Sequence, residues 1–238
     1  MLNMDEFLER LSCNQRSLAV RNMVLYMSYY KDGNSNRQVE LDRCLAHNQS
    51  NPLFRRIVIF DETGNLINFN NVTVVPTANR MTFSDFFRYA NENDTNDDTI
   101  HVLINSDIII GEGFEDIRLE SDQALCVSRH ELREDGTSSI DIGGGSHDAW
   151  VWRGKIREGM GEFYMGKMLC DGVLANQFVE KGYRLKNPAK GLCVYHYHIT
   201  QLRNYGWHDA ISGRRRGITM THHDHIFSVD DLYEDGWN

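Results

Sequence analysis

The chain has no apolar run of about 18 residues, the length a helix needs to cross a bilayer, so no membrane span is expected. Its opening, MLNMDEFLERL, carries acids where a secretory signal needs a basic flank and an apolar core. Cys-x-x-Cys is absent, and the five cysteines, Cys13, Cys44, Cys126, Cys170 and Cys193, are odd in number. That suits free thiols in a reducing compartment and makes a cytoplasmic location the expectation. Positive excess is missing too: the net charge of -9 and pI near 5.5 argue against a chain that coats nucleic acid and rank small-molecule partners first. There is no HExxH, no GxGxxG framed by a strand and a helix, and no internal repeat.

What is present is 238 residues with 41% hydrophobic content, ample for a packed α/β domain. Residues 4–14 carry Met4, Phe7, Leu8 and Leu11 at helical spacing. Residues 21–30 read as a strand. Ser35 is then expected to cap a helix to about His47, with Val39, Leu41 and Leu45 inward and Arg37, Glu40 and Arg43 on a solvated face. A second strand, 54–60, delivers Asp61 to its carboxyl end, and a third, 72–75, stops at Pro76. Thr82 is the expected N-cap of a helix reaching about Asn93, with Phe83, Phe86, Phe87 and Ala90 on one face. Arg80 precedes that helix start, where a cation and free amides favour the same anion; a surface position is the alternative.

The stretch 98–111, DTIHVLINSDIIIG, reads as one buried strand with a polar step at Asn105-Ser106-Asp107. Strand alternation points Asn105 and Asp107 the same way, toward the carboxyl edge where open α/β sheets hold ligands. Asp107 either meets a metal or a substrate hydroxyl there, or starts a turn. Residues 133–147, with Gly136 and the triplet Gly143-Gly144-Gly145, read as a flexible loop. Asp148 opens a strand with Trp150 and Trp152 on one face, either core or a stacking surface. Asp171 heads a helix over 173–181 closed by Gly182, and His196 and His198 share a face of a strand over 191–200. Two imidazoles in this alternation can offer one ligand to a metal while a second-shell partner holds the other. Residues 201–238 lose periodicity and read as a tail or flap, with a basic run at 214–216, the cluster His222-His223-Asp224-His225 and one short helix near 229–233.

The order of elements, with INSDIII at 104–110 and CDGVLANQFVEKGYRLKNPAKGLCVYHYH at 170–198, resembles the nucleotide-sugar glycosyltransferases of the GT-A fold, in the compact size range of bacteria, phages and large DNA viruses. The resemblance covers about residues 20–200. It implies an α/β fold with a mostly parallel nucleotide-binding sheet flanked by helices, a single domain over 1–200 and a C-terminal tail over 201–238. It implies transfer of a sugar from a nucleotide-diphosphate sugar, most often a UDP- or GDP-sugar, to a carbohydrate or other hydroxyl acceptor, with inversion and with Mn²⁺ or Mg²⁺.

By that resemblance Asn105-Ser106-Asp107 matches the DxD motif, Asp107 holding the cation and Asn105 standing for the first aspartate. Asp61 matches the acid near the base or ribose, Arg80 a basic residue near the donor, and His196 or His198 the metal-ligating histidine. Asp171 matches the general base, with Asp148 as rival. A nucleotidyltransferase, for which KDGNSN at 31–36 is a poor glycine-rich loop, and a catalytically silent sugar-binding scaffold are the alternatives; a zinc hydrolase ranks behind them.

Overall fold

The computed structural model describes residues 3–16, 21–140, 146–202 and 206–221. Helix α1 (Met4–Arg16) leads to strand β1 (Arg21–Tyr29), helix α2 (Ser35–Gln49), β2 (Phe54–Asp61), β3 (Val72–Pro76), helix α3 (Phe83–Asn93) and β4 (Ile100–Ile104). Then come β5 (Ile108–Ile110), β6 (Gln123–Val127), β7 (His130–Leu132), β8 (Ser138–Ile140), β9 (Ala149–Arg153), helix α4 (Cys170–Glu180), β10 (Arg184–Lys186) and β11 (Val194–His196). This is a mixed α/β fold, and among the described residues no helix is long and apolar enough to cross a membrane. All five cysteines are free thiols.

A seven-stranded sheet has the order β10-β6-β9-β4-β1-β2-β3, in which only β9 runs against the others. Alternation in its strands sorts the core into two layers. Leu25, Met27, Ile57, Ile59, Val102 and Val151 face one way. Tyr26, Val58, Phe60, Leu103, Trp150 and Trp152 face the other, beneath α3 and α4. The tryptophans are core: Trp150 stacks on Phe178 at 5.3 Å, and Trp152 meets Phe87 edge-on at 5.3 Å. They are therefore not a stacking surface for a ligand. Thr82 caps α3 in a capping box with Asp85, and Phe83, Phe86, Phe87 and Ala90 are buried.

Several expectations are corrected. The stretch 98–111 is not one strand: β4 ends at Ile104, a turn closes with the Ile108 amide donating to Asn105 O at 3.2 Å, and β5 enters a second sheet of order β5-β11-β7-β8. Residues 130–140 form a hairpin rather than a loop, turning at Gly136 with φ 75°. The α2 cap is Asn34, whose side chain accepts from the Asn36 and Arg37 amides. On α2, Val39 is half exposed while Arg37 and Glu40 are buried. The strand expected over 191–200 is confined to β11, because His198 and Thr200 turn toward other partners. The α4 helix begins at Cys170, so Asp171 lies in its first turn rather than capping it.

Residues 206–221 fold back on the body. The Ile211 amide donates to Met168 O, the Arg216 amide to Gly172 O and the Thr221 amide to Asn187 O, at 2.8–2.9 Å. Gly143-Gly144-Gly145, the cluster at 222–225 and the short helix at 229–233 lie outside the described residues.

Strand β5 is an edge strand, and its outward backbone groups are covered by side chains. Asn48 donates to Ile108 O at 2.7 Å and accepts from the Ile110 amide at 3.1 Å, while Gln15 donates to Ile110 O at 2.9 Å. Asn48→Ala would leave two buried backbone groups unpaired, an expected loss of about 2–5 kcal/mol. Urea unfolding checks it: the midpoint should fall with the slope unchanged, whereas a midpoint within error of the native one would remove Asn48 from that role.

Candidate functional site

The chain runs from β1 through β2 to β3 on one side and returns with β4 on the other, so strand order reverses between β1 and β4. The crevice outside the carboxyl ends of such a pair is where open α/β sheets bind ligands. A cavity opens there, bounded by Ser28 near the end of β1, Asn105 after β4, Arg129 after β6 and Asp148 before the antiparallel β9. Tyr30, Arg37, Glu62, Arg80, Ser106, Asp107, His196 and His198 complete its polar lining. At about 160 Å³ it is smaller than a whole-ligand pocket of roughly 300–1,000 Å³.

Asp107 is the hub. Its Oδ2 accepts from Arg37 Nη2 at 2.5 Å and from His196 Nε2 at 3.2 Å, and His198 Nδ1 lies 4.0 Å away. Burial pushes the Asp107 carboxyl up, but His196 and Arg37 more than offset it and hold it well below the usual carboxylate range. Sheet register places His196, the last residue of β11, between Ile108 of β5 and Glu131 of β7. Its Nδ1 donates to Glu131 Oε2 at 2.8 Å. Burial alone would lower the His196 pKa; Asp107 and then Glu131 outweigh it and raise it to about 9. His198 donates Nε2–H to Leu202 O at 2.8 Å, which leaves the lone pair on Nδ1 facing Asp107.

One ligand atom each from Asp107, His196 and His198 lies within 4.8 Å of the others. Both imidazoles are oriented from behind, by Glu131 and by a carbonyl, the usual arrangement for metal-ligating histidine. The donor set fits a divalent first-row cation, and imidazole favours Mn²⁺ over Mg²⁺.

Among the other candidates, Asn105 donates to Asp148 Oδ1 at 2.6 Å, and Ser146 and Arg129 donate to Asp148 Oδ2 at 2.8 and 3.3 Å. Asp148 thus works as a strut whose oxygens already take three donors. Arg80 donates to Met165 O and stays on the cavity wall. Asp61 does not line the cavity. Its buried carboxylate accepts from the Thr63 amide and hydroxyl and the Leu66 amide at 2.6–3.0 Å, so it anchors the turn after β2. Asp171 does not line the cavity either. It retains some exposure in the first turn of α4, and burial of its carboxyl, then the charge of Asp148, raises its pKa.

Sequence reading missed Arg37, Glu40, Arg129 and Glu131. For the first two a signal existed: Arg37, Glu40, Leu41, Cys44, Leu45 and Asn48 recur at helical three- and four-residue steps and are all buried. Comparison of the sequence with protein-family models and with curated proteins returned no match.

The folded pKa of His196 lies above the ordinary 6.5, so the stabilisation it gives the metal-free protein is fully present below about pH 6.5 and is lost as pH rises through about 9. Melting temperature in EDTA should therefore decline across that window in the native chain. The His196→Gln variant should melt lower at pH 6 and show a flatter profile, and parallel profiles would remove His196 from the charge network.

Proposed function

We propose that the chain is a metal-dependent glycosyltransferase of GT-A-like fold, moving a sugar from a nucleotide-diphosphate sugar, UDP- or GDP-linked foremost, to a carbohydrate or other hydroxyl acceptor. The observation that carries this reading is the convergence of Asp107, His196 and His198 on a cavity at the β1–β4 switch point. A cavity of this size accommodates a diphosphate and a cation, with sugar, nucleoside and acceptor extending from it. A bound Mn²⁺ or Mg²⁺ would supply the charge that neutralises the departing diphosphate. The chain's own Arg37, Arg80 and Arg129 add fixed positive charge on the same wall.

A direct displacement inverts the anomeric centre and needs a base for the acceptor proton. Asp171 takes that role in this reading, because a carboxylate whose pKa is raised by burial is the stronger base and Asp148 is committed to three donors. A cytoplasm-facing location completes the reading, since five free thiols persist in a reducing compartment. Two observations favour a catalytically silent binder instead: the Asn105 amide is directed to Asp148, and Asp171 does not line the cavity.

A thermal-shift screen of UDP, GDP, CDP and dTDP sugars, each with Mn²⁺ and with EDTA, tests the reading by mass action. One nucleotide family should raise the melting temperature only with Mn²⁺, and Asp107→Ala should lose that metal-dependent part. No shift with any donor would sink the transferase reading; a shift without turnover on any acceptor would favour the silent binder.

With a donor in hand, Asp171→Asn should abolish transfer while donor affinity stays within a fewfold. The base must be deprotonated to act, so native kcat/KM should fall with acidification at a pH above the ordinary carboxylate range. Full activity in Asp171→Asn would move the role to Asp148.

A further inference from the structure

Arg37 lies in the first turn of α2, and its buried guanidinium bridges two carboxylates. Nη1 donates to Glu40 Oε2 at 2.8 Å, and Nη2 donates to Asp107 Oδ2. Glu40 is itself fixed, its Oε1 accepting from the Thr200 amide at 2.6 Å and its Oε2 from the Thr200 hydroxyl at 3.1 Å. Thr200 stands two residues beyond His198, so the chain Asp107, Arg37, Glu40, Thr200 ties two of the three candidate ligands to one helix turn. Arg37 also faces the cavity, and the guanidinium fork suits phosphate oxygens.

The charge balance on the wall gives this position a second meaning. Arg37, Arg80 and Arg129 stand against Glu62, Asp107 and Asp148, so these six side-chain charges cancel among themselves. Asn105 contributes no charge to Asp107's side of the balance. A divalent cation arriving at Asp107 meets a guanidinium already on Oδ2, and a like charge a few ångströms away in a largely dehydrated site is strongly repelled.

We propose that Arg37 is the internal counter-ion of Asp107: it competes with a divalent cation for Oδ2, and it offers its guanidinium to the phosphate oxygens of the ligand. This rests on the reading of Asp107, His196 and His198 as a cation site. Arg37 thereby makes the bare metal a weak ligand and a phosphate-bearing molecule a better one. A purely structural brace would affect both ligands in the same direction.

The experiment uses the full chain and two probes, Mn²⁺ alone and inorganic pyrophosphate in EDTA, each followed by isothermal titration. In Arg37→Gln, Mn²⁺ should bind roughly tenfold more tightly than in the native chain, because a repelling charge is gone. Pyrophosphate should bind several-fold more weakly. Arg37→Met supplies an apolar stem of similar reach should the amide variant fail to fold, with the same signs expected. Glu40→Gln should act oppositely on the metal and weaken Mn²⁺ binding, because Arg37 then loses its other carboxylate.

Mn²⁺ affinity unchanged or lowered in both folded Arg37 variants would overturn the competition. Unchanged pyrophosphate affinity would overturn the phosphate contact. Mn²⁺ binding in an Arg37 variant but not in the native chain would support the proposal in its strongest form, and binding in neither would overturn it. Failure of the transferase reading shows separately, as the absence of any nucleotide-sugar shift in a native chain that still binds Mn²⁺.

Discussion

A carboxylate held largely out of water needs opposite charge within reach, and Asp107 is that carboxylate here. Its side chain is 15% exposed and draws a guanidinium from α2 and an imidazole from β11 onto one oxygen. Three segments far apart in the chain are thereby held at one point. Glu131 behind His196 and Glu40 behind Arg37 return negative charge to the cluster, so each buried cation has an acid on either side. The arrangement is a continuous chain of five charges, and removing its central member, Asp107, leaves Arg37 and His196 with one acid each.

The network lies where the two sheets meet. Strand β4 passes into β5 through Asn105-Ser106-Asp107, and β6 passes into β7 through Ser128 and Arg129. Both crossings leave the carboxyl edge of the large sheet, so Asn105, Ser106, Asp107 and Arg129 line the crevice, while Ser128 is buried behind it. Asn187 secures the outer side: it is fully buried, donates to Ser128 Oγ at 2.9 Å and to Ile218 O at 3.2 Å, and accepts from the Ser128 amide at 3.0 Å. The returning segment 206–221 is thus joined to the strand end that carries Arg129.

Two acids show how position decides role. Asp61 ends β2 and Asp107 follows β4 at the same edge, yet Thr63 turns back on the Asp61 carboxylate as an Asx-type turn. Asp107 has no such local donor and meets distant cations instead. Asp148 and Asp171 divide similarly: the first takes three polar donors, while the second has only the weak Cys170 thiol and a backbone amide to set against burial and a like charge, which raise its pKa.

Much of the fold was legible in the sequence. The β-branched runs, the Thr82 cap with its aromatic face, and the loop residues that stop β1 follow from local preferences that operate within a few residues. The residue types of the site were legible in the same way, since an acid in the 105–107 step and an alternating histidine pair are local patterns. The sequence by itself therefore determined the main helices and the strands β1 to β3, the apolar face of α3, and that acid and imidazole were available at strand ends. Only the tertiary structure decided that Arg37, seventy residues from Asp107, would be its partner, that Glu131 would orient His196, and that Asp61 would serve a turn. The physical reason is that periodicity reports that a side chain is buried, whereas a charge pair depends on what the chain brings opposite it, and that is set by the register and crossing of strands remote in sequence.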